Sequence, residues 1–101
     1  VARKKIIWSS AAEADLVKIL DFFNNRNKSF AYSRKLSNQF LSTLKQVAKT
    51  PEIGLRTQAE NTRGVISGHY ILFYFEGPHE ILVLKVWDTR QNPDRVKFKR
   101  I

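Results

Sequence analysis

Apolar residues in this chain alternate first, then recur at helical spacing, then alternate again. Over residues 4–8, Ile6 and Trp8 fall on one side and Lys5 and Ile7 on the other, which predicts a short strand. Ser10, Ala11, Ala12 and Glu13 match a capping box, in which the serine accepts an amide hydrogen bond and the glutamate reaches back. Ala12, Leu16, Ile19, Leu20 and Phe23 follow at helical spacing, with one face to bury. Asn24 and Asn25 are expected to end this helix, because short polar side chains compete for backbone hydrogen bonds.

A second helix is expected from near Ser29, with Leu36, Phe40, Leu44 and Val47 on one stripe, widened by Leu41 and Ala48. Thr50-Pro51 stops it, since proline lacks an amide hydrogen and disfavours helix in the residue before it. The short polar connection makes the two helices an antiparallel hairpin. Residues 52–61 show no clear period and read as loop with at most a short strand. Strands are predicted over 63–67, ending at Gly68, over 69–75, and over 80–87 after a Gly77-Pro78 turn. In the last of these, Leu82, Leu84 and Val86 alternate against Ile81, Val83 and Lys85. Both its faces are apolar early on, so it belongs inside the sheet. A strand, two helices and then a meander of three antiparallel strands is an α+β arrangement, with the helical hairpin on one sheet face and the other face left for partners.

Composition narrows the picture. A length of 101 residues suits one domain over residues 1–101. An apolar fraction of 43% with 12% aromatics argues against disorder. There is no cysteine, so neither a disulfide nor a thiolate metal site contributes, which fits a reducing cytoplasm. No apolar run approaches the length of a membrane span, and the run near the N-terminus is too short for a signal peptide. Charge changes the picture most. Eighteen Lys and Arg against nine Asp and Glu give +9. Such an excess costs self-repulsion and favours a polyanionic partner, either nucleic acid or an acidic protein. The densest basic groups are Arg3, Lys4, Lys5 at one end and Arg95, Lys97, Lys99, Arg100 at the other, one patch if the ends meet.

With element order and charge in hand, the chain resembles the RelE/ParE superfamily of toxins. Gly68-His69-Tyr70-Ile71-Leu72-Phe73-Tyr74 is similar to the family's glycine–tyrosine–apolar–tyrosine strand. Ile81 to Trp87 followed by Asp88-Thr89-Arg90-Gln91-Asn92-Pro93 resembles its closing strand and arginine-bearing end. Ile7-Trp8-Ser9-Ser10-Ala11-Ala12 resembles its opening strand and capped helix. The resemblance implies the toxin of a type II toxin–antitoxin (plasmid stabilisation) module, silenced by a cognate antitoxin. It carries two activities, poisoning of DNA gyrase in ParE-like members and ribosome-dependent mRNA cleavage in RelE-like members. One scaffold serves both, so the fold cannot choose.

RNA cleavage needs a group to activate the 2′-hydroxyl, cations for the phosphorane and an acid for the leaving oxygen. Arginine suits the cation role, being a permanent planar fork. Arg90 matches the position of the nucleases' catalytic arginine, Arg63 lies near a basic position of theirs, and Arg56 is a further cation. Two roles are unfilled. Ile71 stands where the nucleases carry an arginine after the first strand tyrosine. Phe98 is the only aromatic after Arg90, where they carry a tyrosine or histidine. His69 can substitute as acid or base; the plainer reading is an edge histidine beside a glycine. Arg56, Arg95 and Lys97 are candidates for contacting the target or nucleic acid. His79 is read as a turn residue. The histidines and acids show no metal-ligand spacing, so neither a metal nor another cofactor is expected. Whether the chain is an enzyme stays open. A ParE-like gyrase inhibitor is preferred, followed by a RelE-like mRNA endonuclease acting on the ribosome, and then a non-toxic or decayed binding module.

Overall fold

The computed structural model describes residues 3–90. Strand β1 (Lys5–Trp8) leads into helices α1 (Ser10–Asn27) and α2 (Ala31–Lys49). A 3-10 turn (Pro51–Ile53) and a two-residue strand β2 (Leu55–Arg56) follow. The chain then runs through β3 (Thr62–Ser67), β4 (Tyr70–Glu76) and β5 (Glu80–Asp88). The meander β3-β4-β5 forms as expected. It is the middle of a five-stranded sheet in the order β1-β5-β4-β3-β2. Strand β1 lies parallel to β5, from Lys5 opposite Glu80 to Trp8 opposite Val83, so β5 is an interior strand over that stretch.

The helical hairpin buries its stripe on one face of this sheet. Leu36, Phe40, Leu44, Val47 and Ala48 of α2 are buried, and Ala12 of α1 is fully enclosed. Leu41 does not widen the stripe: it is 45% exposed. Its position, one residue past Phe40, turns it away from the sheet. From the sheet side Tyr70, Leu72, Val83 and Val86 meet these helices, and Leu16, Ile19, Leu20 and Phe23 of α1 pack around them. The Phe40 and Tyr70 rings meet edge to face at 5.3 Å.

Four local readings are corrected. The cap of α1 is Ser9, not Ser10. Ser9 Oγ accepts from the Ala12 amide at 3.1 Å and reaches the Leu84 carbonyl at 3.2 Å, joining helix start to sheet. The residue three past this cap is Ala12, so no reciprocal box forms. Helix α1 runs through Asn24 and Asn25 to Asn27 and ends with Lys28 in the left-handed region, φ 53°. Asn24 does not compete with its own backbone because its side chain bonds the hydroxyl of Ser33 across the hairpin. Helix α2 begins at Ala31 rather than Ser29, whose hydroxyl accepts from the Ala31 amide. Strand β5 does not keep strict alternation. Tyr74 pairs with Val83 and Phe73 with Lys85, leaving Leu84 as a bulge residue. The extra residue puts Val86, not Lys85, in the core beside Val83.

The loop after α2 is held by one phenol. Tyr74 is fully buried; its hydroxyl donates to the Pro51 carbonyl at 2.6 Å and accepts from the Gly54 amide at 3.1 Å. Burial raises its pKa, so the phenol keeps its proton and its donor role.

Candidate functional site

Strand β1 covers β5 only as far as Val83, so among the described residues the second half of β5 has no strand on that side. Helix α1 takes that place. Asp15 accepts from the Val86 amide at 3.1 Å and from Lys85 Nζ at 3.5 Å, so a helical carboxylate satisfies what would be an orphan edge donor. Between α1 and this half of β5 lies an open groove of about 430 Å³. Ile19, Phe22, Phe23, Tyr70 and Trp87 supply its apolar lining. Phe22 stacks edge to face on Phe23 and Phe23 on Tyr32, and Phe22 is itself 56% exposed. Lys18, Lys85 and Arg90 give the groove three cations against Asp15 and Asp88.

Arg90 is fixed at one end of this groove. Its Nε and Nη2 each donate to Asp88 at 2.9 Å, a two-point grip that its planar fork makes possible. Nη2 also lies 3.3 Å from Tyr70 Oη, and the guanidinium sits 5.8 Å from the centre of that ring. The hydrogen bonds from Arg90 hold the Asp88 carboxyl below its usual pKa, and the same contact raises Arg90. Tyr70 is raised by burial first and by the nearby Asp88 second. Asp88 and Arg90 therefore form a surface pair, and it presets the arginine.

A depressed carboxyl has a stability signature. The contribution of Asp88 is complete above its unfolded value near 3.9 and is lost as pH falls through the lower folded value. Arg90 is half-exposed, so the pair contributes less than about 1 kcal/mol. The melting-temperature gap between the parent and Asp88→Asn should be full at about pH 6 and should narrow as pH falls below the unfolded value of about 3.9. A gap that stays constant across that range would remove the pair as its cause.

Of the other predicted site residues, His69 lies near Arg90 while Arg63 and Arg56 do not. Register places Tyr70 opposite Asp88 and Tyr74 opposite Arg63. Arg63 thus lies four residues away along β4, about 13 Å at the rise of a strand. Its Nη1 donates to the Gly54 carbonyl at 2.9 Å and the Glu52 carbonyl at 3.3 Å, tying down the loop that Tyr74 also holds. Arg56 is the cross-strand partner of Arg63 and is exposed at that same far end. His69 is at the Arg90 end, in the turn before β4, where its carbonyl accepts from the amide and hydroxyl of Thr89. Ile71, at the position where a nuclease arginine was sought, is buried. Arg95, Lys97 and Phe98 lie outside the described residues, as does the proposed meeting of the two basic ends. The groove residues Lys18, Phe22 and Phe23 were missed as site candidates. The available signal was Phe22, an aromatic off the buried stripe of α1. Among the described residues no cluster of His, Asp and Glu could hold a metal ion.

A helical hairpin laid on a mixed sheet, with the last strand ending in a positioned arginine, defines a small α+β protein of the toxin type that the sequence resembled. Comparison with known proteins gives the family. Residues 6–93 match the ParE toxin of type II toxin–antitoxin system, parDE, and the chain belongs to that family. Among solved structures, the chain is similar to one described as a chromosomal ParDE TA system from P. aeruginosa, with a TM-score of 0.70. The similarity covers 85% of this chain and 96% of that one at 16% identity, which speaks for a shared fold. No curated protein sequence matches the chain. No described helix is long and apolar enough to cross a membrane.

Proposed function

We propose that this ParE-family toxin acts by inhibiting DNA gyrase, and that a cognate antitoxin silences it by seating an acidic, amphipathic segment in the groove between α1 and β5. The observation that carries the gyrase reading is the separation of the two arginines of the nuclease set. Arg63 and Arg90 sit at opposite ends of β4, Arg63 is tied to backbone carbonyls, and Ile71 is apolar and buried. General acid–base chemistry on one phosphodiester needs its groups within hydrogen-bond reach of one another's reacting atoms, which this separation does not provide. The antitoxin reading rests on the groove, whose aromatic lining offers anchors and whose cations Lys18, Lys85 and Arg90 complement an acidic chain.

The test uses purified gyrase and the full chain in a supercoiling assay, with translating ribosomes programmed with mRNA as the parallel arm. Supercoiling is expected to fall as toxin is added, and adding the antitoxin is expected to restore it, while the mRNA stays intact. Untouched supercoiling at saturating protein would overturn the gyrase target. Cleavage of the mRNA, abolished by Arg90→Ala, would establish the ribosomal reading in its place.

A further inference from the structure

Helix α2 carries a second charged surface, away from the groove. Between Asp21 and Glu52 the sequence contains no acidic residue. Within α2 the cations Arg34, Lys35, Lys45 and Lys49 are all exposed, and none forms an ion pair among the described residues. At 100° per residue these four fall with Asn38 and Ser42 on one outward face, opposite the buried Leu36–Phe40–Leu44–Val47 stripe. The first turn of the helix has no acidic residue, and Phe30 before it gives no side-chain cap. Arg34 and Lys35 thus stand near the positive end of the helix dipole, where carboxylates are favoured. Not one i,i+4 pair with an acid offsets the mutual repulsion. Lys45 and Lys49 lie toward the end where the dipole favours cations, but Arg34 and Lys35 with no acid to offset them break local stability rules, and such a break has its reason outside the folded monomer.

We infer that this face of α2 is a docking surface for the phosphate backbone of duplex DNA. Charge complementarity selects an anionic occupant. The make-up of the face selects a backbone over an acidic peptide. From Arg34 to Lys49 it extends about 22 Å, or roughly two-thirds of a duplex turn. Between its basic ends lie Asn38 and Ser42, neutral groups that hydrogen-bond phosphate oxygens without reading sequence. A peptide partner needs apolar anchors in pockets, and the centre of this face has none; the exposed Leu41 stands at its margin. The groove beside Arg90 has such anchors, so the two surfaces suit two different partners. This inference stands whatever enzyme the toxin attacks.

Its test is fluorescence anisotropy of a labelled 20-base-pair duplex titrated with the full chain across a range of salt. The variant Arg34→Gln/Lys35→Gln/Lys45→Gln/Lys49→Gln is set against a control of equal net charge, Arg3→Gln/Lys5→Gln/Arg26→Gln/Lys28→Gln. All positions in both sets are exposed, and circular dichroism checks that each protein is folded. The parent should bind with affinity falling steeply in salt, the logarithmic slope losing about 0.9 for each phosphate contact removed. The α2 variant should lose roughly tenfold or more in affinity at about 0.1 M salt, along with most of that slope; the control should lose less than about threefold. Equal losses in both would reduce the effect to net charge and overturn the assignment. So would absence of binding by the parent. Tighter binding of labelled poly-glutamate than of DNA, lost in the α2 variant alone, would assign the face to an acidic peptide instead.

Discussion

Replacing Phe40 by alanine is expected to lower the stability of the protein by roughly 4 kcal/mol, the largest effect of any single truncation proposed here. Phe40 is 1% exposed and lies where α2 crosses the sheet, edge to face with Tyr70. Its removal forfeits the transfer energy of a whole ring and leaves a void, because Leu36 and Leu44 on either side are held by the helix and cannot collapse into it. For a chain of about this length the melting temperature should fall by roughly 20 °C. Leu41→Ala, one residue on and 45% exposed, is the control and should change stability by less than about 0.5 kcal/mol. A loss below about 1 kcal/mol at Phe40 would mean that α2 does not dock through this ring. The site is coupled to the same residue. Tyr70 is pinned between Phe40 and Arg90, so the cavity variant should also loosen the arginine.

Gly54→Ala is expected to cost about 3 kcal/mol, for a steric reason and not a conformational one. The backbone there, φ −74°, is open to any residue. A Cβ would stand 2.5 Å from Tyr74 Oη and 2.9 Å from Arg63 Cβ. The hydroxyl cannot give way without abandoning the Pro51 carbonyl and the Gly54 amide, both buried with it. The double variant Gly54→Ala/Tyr74→Phe supplies the check. With the hydroxyl gone, the tightest clash is removed while those at 2.9 Å with Tyr74 Cε1 and Arg63 Cβ remain, and the double loss should be smaller than the sum of the single losses by about 1 kcal/mol or more. Strict additivity in urea unfolding would show that the alanine is accommodated by some other shift. The same crowding bears on Arg63, whose Cβ borders this glycine and whose guanidinium holds its carbonyl. Part of any effect of Arg63→Ala would therefore arise from loop structure.

The elements that could be read from the sequence were those with a strong period. The Leu36–Phe40–Leu44–Val47 stripe and the apolar run around Ile81 stated their own burial. The register of β5 could not be read in the same way. A bulge at Leu84 shifts the pleat by one residue, and nothing in a Leu-Val-Leu-Lys-Val run marks where that shift falls. Ser10 had the better claim as cap on local grounds, through its box with Glu13. The choice went to the serine whose hydroxyl also reaches the Leu84 carbonyl, a contact from a strand 75 residues later. Asn24 was misread for the same reason, since its partner Ser33 is on the next helix. For the site, Arg90 and its pairing with Asp88 were visible as neighbours in the chain. That Arg63 and Arg90 stand apart was not, because their distance is set by strand register. The groove was also hidden, being made by the shortness of β1 against a longer β5.

That short first strand also governs the order in which the protein can be made. Among the described strands β1 pairs with β5 alone, with Lys5 opposite Glu80, so one end of the described chain waits for the other. During synthesis the opening strand leaves the ribosome long before its neighbour has been translated, and closing so long a loop costs entropy before any pairing offsets it. The hairpin helices can collapse early; the edge of the sheet and the groove beside it can form only once β5 has emerged. A message broken before the codon for Glu80 therefore yields no partial toxin, and the folded form arises only after β5 has been translated.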